Sequence, residues 1–83
     1  MNDNEITVTV QTGRGSKTET FPKQTKVEDV IAWAIQQFGL SPSEPYELVR
    51  QNGGVPLEPQ RPLVSYHIED GEILIVSAAG TGV

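Results

Sequence analysis

Few residues in this sequence could perform chemistry unaided, and each candidate falls short of a recognisable catalytic or ligand pattern. There is no cysteine, so the chain offers no thiol nucleophile, no disulfide and no thiolate metal site. The one histidine, His67, has no Ser, Cys or clustered acid at a catalytic spacing and reads as a lone surface imidazole. Glu69, Asp70 and Glu72 bring carboxylates together around a glycine. The spaced loop that calcium requires is missing, so a solvated turn is the better reading. Gly13-Arg14-Gly15-Ser16 has the glycine content of a phosphate cradle but lacks the Lys-Ser/Thr ending and a helix directly after it, which favours a plain hairpin turn. Lys17, Lys23 and Lys26 are amines that could accept an acyl group, as surface lysines in general could. No nucleophile–base pair, metal site or cofactor site emerges, and the sequence is not that of an enzyme.

The formal charge of −5 leaves no excess of Lys and Arg to displace phosphate counterions, which argues against nucleic acid. The acidity keeps a small protein in solution or steers it towards a basic partner. No apolar run approaches the roughly 20 residues that span a bilayer. The polar, acidic start, Met1-Asn2-Asp3-Asn4-Glu5, is the reverse of a secretory leader. Together these point to a cytoplasmic, monomeric protein without nucleic-acid or membrane partners. At 83 residues the chain holds one compact domain.

The elements that must position any site follow from periodicity. Ile6, Val8 and Val10 alternate with Thr7, Thr9 and Gln11, the period of a half-buried strand. The Gly13–Ser16 turn returns the chain through a second strand, Lys17 to Phe21. Thr25-Lys26-Val27-Glu28 fits a capping box. Val27, Val30, Ile31, Ala34 and Phe38 then form one apolar stripe of a helix that Gly39 stops and Pro42 keeps from resuming. Tyr46 to Gln51 is a third strand. Asn52-Gly53-Gly54, Pro59 and Pro62 keep the next stretch irregular, with Leu63, Tyr66 and Ile68 as its anchors. Asp70-Gly71 turns into a last strand whose run Ile73-Leu74-Ile75-Val76 marks it as central. The expected boundaries are a disordered residues 1–4, a domain over 5–78 and a flexible tail over 79–83.

This order, ββαββ with one helix packed across one face of a mixed sheet, is an α+β architecture. Its motifs resemble the ubiquitin-like β-grasp superfamily. Leu57-Glu58, then Leu63-Val64-Ser65-Tyr66-His67-Ile68, then Leu74 to Val76 are similar to ubiquitin's own closing run. Ile68-Glu69-Asp70-Gly71-Glu72-Ile73-Leu74 is similar to the turn of bacterial sulfur carriers. The resemblance implies that Tyr66 braces the preceding loop by hydrogen bonding to backbone and that Ile68 is core. The tail departs from ubiquitin: Ala79-Gly80-Thr81-Gly82-Val83 has neither paired glycines nor preceding arginines. A residue beyond the glycine looks like a precursor, as in bacterial ubiquitin-like modifiers encoded beside an activating enzyme, a conjugating enzyme and a protease.

By that resemblance the reactive group is the tail. A protease would remove Val83 and expose Gly82, with Gly80 as the fallback. An activating enzyme would adenylate the new carboxylate, and a conjugating enzyme would pass it to a target protein. Glycine suits this because it has no Cβ to clash in a narrow enzyme channel, and small neighbours such as Thr81 keep the thread thin. The protein would be a substrate supplying no acid, base or nucleophile. Sulfur carriage through a thiocarboxylate on the same glycine is the alternative, and a non-conjugated adaptor is a third. Partners should meet the sheet face away from the helix, where Ile73, Ile75 and Val49 would form a small apolar patch if the family's register holds. Trp33 lies off the helix stripe and is either a lid over a sheet edge or a partner contact.

Overall fold

Alternation of apolar and hydroxyl side chains makes β1 (Glu5–Thr12) a strand with one wet and one dry face: Ile6, Val8 and Val10 are buried while Thr7 and Thr9 are half-buried. In the computed structural model, which describes residues 4–79, β1 pairs antiparallel with β2 (Gly15–Pro22), setting Ile6 opposite Phe21 and Val10 opposite Lys17. The helix α1 spans Val27–Phe38 and is followed by β3 (Tyr46–Arg50), a 3-10 turn at Leu63–Tyr66 and β4 (Ile73–Ala78). The sheet order is β2-β1-β4-β3. β4 is therefore central, parallel to β1 and antiparallel to β3.

One core lies between this sheet and α1. Val27, Val30, Ile31 and Ala34 come from the helix, Leu48, Leu74 and Val76 from β3 and β4, and Leu57, Leu63 and Ile68 from the irregular connection. Phe38 is only partly buried and packs at the margin. Gly39 ends the helix in the left-handed region at φ +65°, where a side chain would be strained.

The start of the helix departs from its sequence signature. The capping box expected at Thr25–Glu28 does not form: α1 begins at Val27, and the N-cap residue Lys26 makes no side-chain cap. Backbone carbonyls replace it. The amides of Val27 and Glu28 donate to the carbonyls of Arg61 and Pro59, each at 3.0 Å. The backbone carbonyl of Thr25 in turn accepts from the amide of Leu63 at 2.9 Å. The buried Leu63 anchors the connection beneath the helix, so its carbonyls reach the orphan amides first.

Candidate docking face

The side of the sheet away from α1 is built by the odd-numbered residues of β1, β3 and β4. Register sets Ile73 beside Thr9, and Ile75 between Gln11 and Val49. Val49, Ile73 and Ile75 are each half-buried, in contrast to Leu48, Leu74 and Val76 on the other face. The structure thus brings these three together as one modest apolar patch. Beyond β4 the face turns to hydroxyls. Thr7 and Thr20 share a 2.7 Å hydrogen bond, and Thr9 and Thr18 one of 3.0 Å. Among the described residues charge enters this face only at the margins, through Glu5 at the start of β1 and Glu47 on the edge strand β3. On a chain that is 20% charged, so neutral a face is the composition of an interface centre.

Trp33 does not join that patch. Its ring meets Phe21 edge-on at 5.3 Å and Phe38 at 6.3 Å, closing the gap between α1 and β2 on the helix side. Lys17 adds to this closure by donating to Gln37 Oε1 at 3.1 Å, with its ammonium 5.9 Å from the Phe38 ring centre.

The connection that leads into β4 is held by polar contacts. Tyr66 accepts a hydrogen bond on its hydroxyl from the amide of Glu58 at 2.8 Å, and the Arg61 guanidinium lies 4.4 Å over its ring. Arg50 forms a two-pronged ion pair with Glu72, one contact being 2.9 Å, and donates to the Tyr66 carbonyl at 3.0 Å. The hydrogen bond from Arg50 holds the Glu72 carboxyl below its ordinary range against the opposing effect of burial, and in turn raises the Arg50 guanidinium. Asp70 accepts from the amide of Thr7 at 2.8 Å. The acidic turn therefore spends Asp70 and Glu72 on bracing β4 against β1 and β3. His67 is exposed, at φ +56°, and closes the 3-10 turn through its amide.

Gly80, Thr81, Gly82 and Val83 lie outside the described residues. The last contact before them is the amide of Ala79, which donates to the Pro45 carbonyl at 2.9 Å and carries the β3–β4 pairing one residue beyond the strand. Sequence reasoning missed an open groove of about 400 Å³ at this end of the sheet, lined in part by Gly13, Leu40, Tyr46, Ile75, Val76 and Ala78. Its walls come from segments far apart in the chain, and no local pattern links them.

The family described as "WXG100 protein secretion system (Wss), protein YukD" matches residues 5–76, from the first residue of β1 into β4. A designed protein based on ubiquitin superposes with a TM-score of 0.78 at 22% identity, over 98% of this chain and 96% of that one. The ubiquitin-like domain of an Arabidopsis thaliana protein gives 0.75 at 18% identity, over 96% and 83%. A chain of the ESX-3 core complex, protomer 1, gives 0.72 at 18% identity, over 95% of this chain and 17% of that longer one. At such identities the likeness speaks for the fold, which is the ubiquitin-like β-grasp. No curated protein matches the sequence.

Proposed function

The chain belongs to the YukD family of the WXG100 protein secretion system, and from that premise we propose that it is a non-catalytic recognition module serving such a system. Its partner is a protein that covers the outer sheet face around Val49, Ile73 and Ile75. The observation that carries this reading is the near absence of charge from that face on a strongly acidic chain. A fold match to part of a longer ESX-3 core chain supports a secretion-complex component as the partner. A photo-crosslinking residue at Ile73, introduced in the native host, tests it. Crosslinks to a component of the secretion machinery, lost when Val49→Asp is added, support docking through this face. Crosslinks that Val49→Asp leaves unchanged count against it.

A second reading rests on the segment that β4 leads into. Cleavage after Gly82 would free a glycine carboxylate, and adenylation and transfer by activating and conjugating enzymes would make the protein a modifier of some target. The carboxylate carbon would be attacked by an enzyme nucleophile with AMP leaving, and then by the acceptor amine. Intact mass of protein recovered from native cells separates the outcomes. Loss of Val83 supports processing and a conjugated modifier. A further gain of about one sulfur over oxygen supports a carrier, and an unaltered mass with no conjugates leaves the docking module alone.

A further inference from the structure

The groove at the end of the sheet shares Ile75 with the outer face, so the two surfaces are continuous. It opens because the β1–β4 pairing stops at Gln11 and Ile75, while β4 runs on to Ala78 and β1 turns away through Gly13. Leu40 and Tyr46, both half-buried, supply the apolar walls with Val76 beneath. A volume near 400 Å³ falls within the roughly 300–1,000 Å³ of ligand pockets, yet this one is open on a side. That shape suits a bulky side chain delivered by a protein segment better than an enclosed small molecule.

Charge distinguishes the two rims. Arg14 follows Gly13 in the hairpin turn, and its guanidinium comes within 3.9 Å of where a Cβ on Gly39 would stand, next to Leu40. Among the described residues the only ion pair is Arg50–Glu72, so Arg14 has no carboxylate partner there. Lys17 lies at the same end of the hairpin. The opposite rim is acidic, because Glu47 pairs in register with the groove residue Ser77. The net charge of −5 repels anions at long range. At physiological salt that field fades over about 8 Å, so a carboxylate seated beside Arg14 meets chiefly the local cation.

We propose that this groove receives one large apolar side chain of a partner segment, with a flanking carboxylate of that segment held by Arg14. This rests on the docking reading and gives the partner its chemistry: an acidic peptide with an aromatic or leucine anchor. Gly13 offers a clean block, since a Cβ there meets nothing within 4 Å and its backbone is not in the left-handed region. Gly13→Leu should fill the groove without disturbing the fold, which a thermal melt verifies.

The test uses three capped heptapeptides centred on Glu-Trp-Glu, Glu-Ala-Glu and Lys-Trp-Lys, titrated into the 15N-labelled protein. The Glu-Trp-Glu peptide should shift the amides of Gly13, Leu40, Tyr46 and Ser77, and Gly13→Leu should abolish the shifts. Arg14→Glu should weaken it at least about threefold and favour the Lys-Trp-Lys peptide. Equal binding of the acidic and basic peptides, shifts confined to Thr9, Val49 and Ile73, or no shifts at millimolar peptide overturn the proposal. The Ile73 crosslink separates the two readings. If it persists at full strength in Gly13→Leu, the groove is not used and docking stands; if it fails in the unaltered chain, docking itself falls.

Discussion

Adjacent residues of β4 should respond to the same chemical change in opposite measure. Leu74 is fully buried against the helix, whereas Ile75, its neighbour, lies half-buried on the outer face. Threonine is β-branched and strand-favouring, so neither substitution works against the strand backbone. In Leu74→Thr, two carbons' worth of burial is lost at about 0.8 kcal/mol each, a small cavity opens, and a hydroxyl is stranded in the core. The sum is about 3–5 kcal/mol. Ile75→Thr gives up only part of the burial of its methyl groups and leaves its hydroxyl with water, for about 1 kcal/mol or less. For a domain of this size each kcal/mol moves Tm by about 4–8 °C. Leu74→Thr should therefore melt at least about 12 °C lower and Ile75→Thr no more than about 8 °C lower, followed by circular dichroism with urea midpoints as a check. Equal losses would refute the reasoning, because they would mean that both faces of β4 are core and that no outer face is free for a partner.

Three further outcomes follow from the bracing contacts. Glu72→Gln should cost about 1 kcal/mol at neutral pH, discounted for partial exposure of the pair. Because Arg50 depresses the Glu72 carboxyl in the folded state, the pair's contribution is fully present above the unfolded carboxylate range near 4.5 and is lost as pH falls through the lower folded value. The difference between wild type and variant in urea unfolding should thus shrink below about pH 5. Tyr66→Phe removes the acceptor of the Glu58 amide and should cost about 0.5–1.5 kcal/mol with faster exchange of that amide, a cost absent in Tyr46→Phe. His67→Gly relieves a left-handed conformation at φ +56° and should raise stability by about 0.5–1 kcal/mol, read as a Tm gain of a few degrees.

What the sequence discloses and what it hides divide along the range of the interactions. The period of two in Ile6–Val10, the unbroken apolar run Ile73–Val76, the helix stripe and the stop at Gly39 are local signals, and the strands, the helix and its end appear where they place them. The roles of Tyr66 and Ile68 came from resemblance, and the structure shows the hydroxyl on the Glu58 amide and the isoleucine in the core. The capping box failed because a local motif competed with carbonyls delivered by tertiary packing. Arg50 and Glu72 carry no mark of their pairing in sequence, since only the β3–β4 register sets them together. The groove was illegible for the same reason: it is the space left where one ladder ends before another.

The two functional readings share a strand, and this constrains how they could be combined. Odd residues of β4 face outward and even residues face the core, while Ala79 is still hydrogen-bonded to Pro45. From Ile75 to Gly82 an extended chain spans at most about 25 Å. An enzyme that grips the outer face at Ile75 must therefore place its reacting centre within that radius if it is to act on the glycine. A docking partner that seats an anchor between Leu40 and Tyr46 would sit against Ala78, the last residue of β4, four residues or fewer from the glycines in sequence. Conjugation and groove docking would then compete, so a saturating Glu-Trp-Glu peptide should slow any adenylation of Gly82. Adenylation that proceeds at its full rate with the groove occupied would show that the body and the tail work independently.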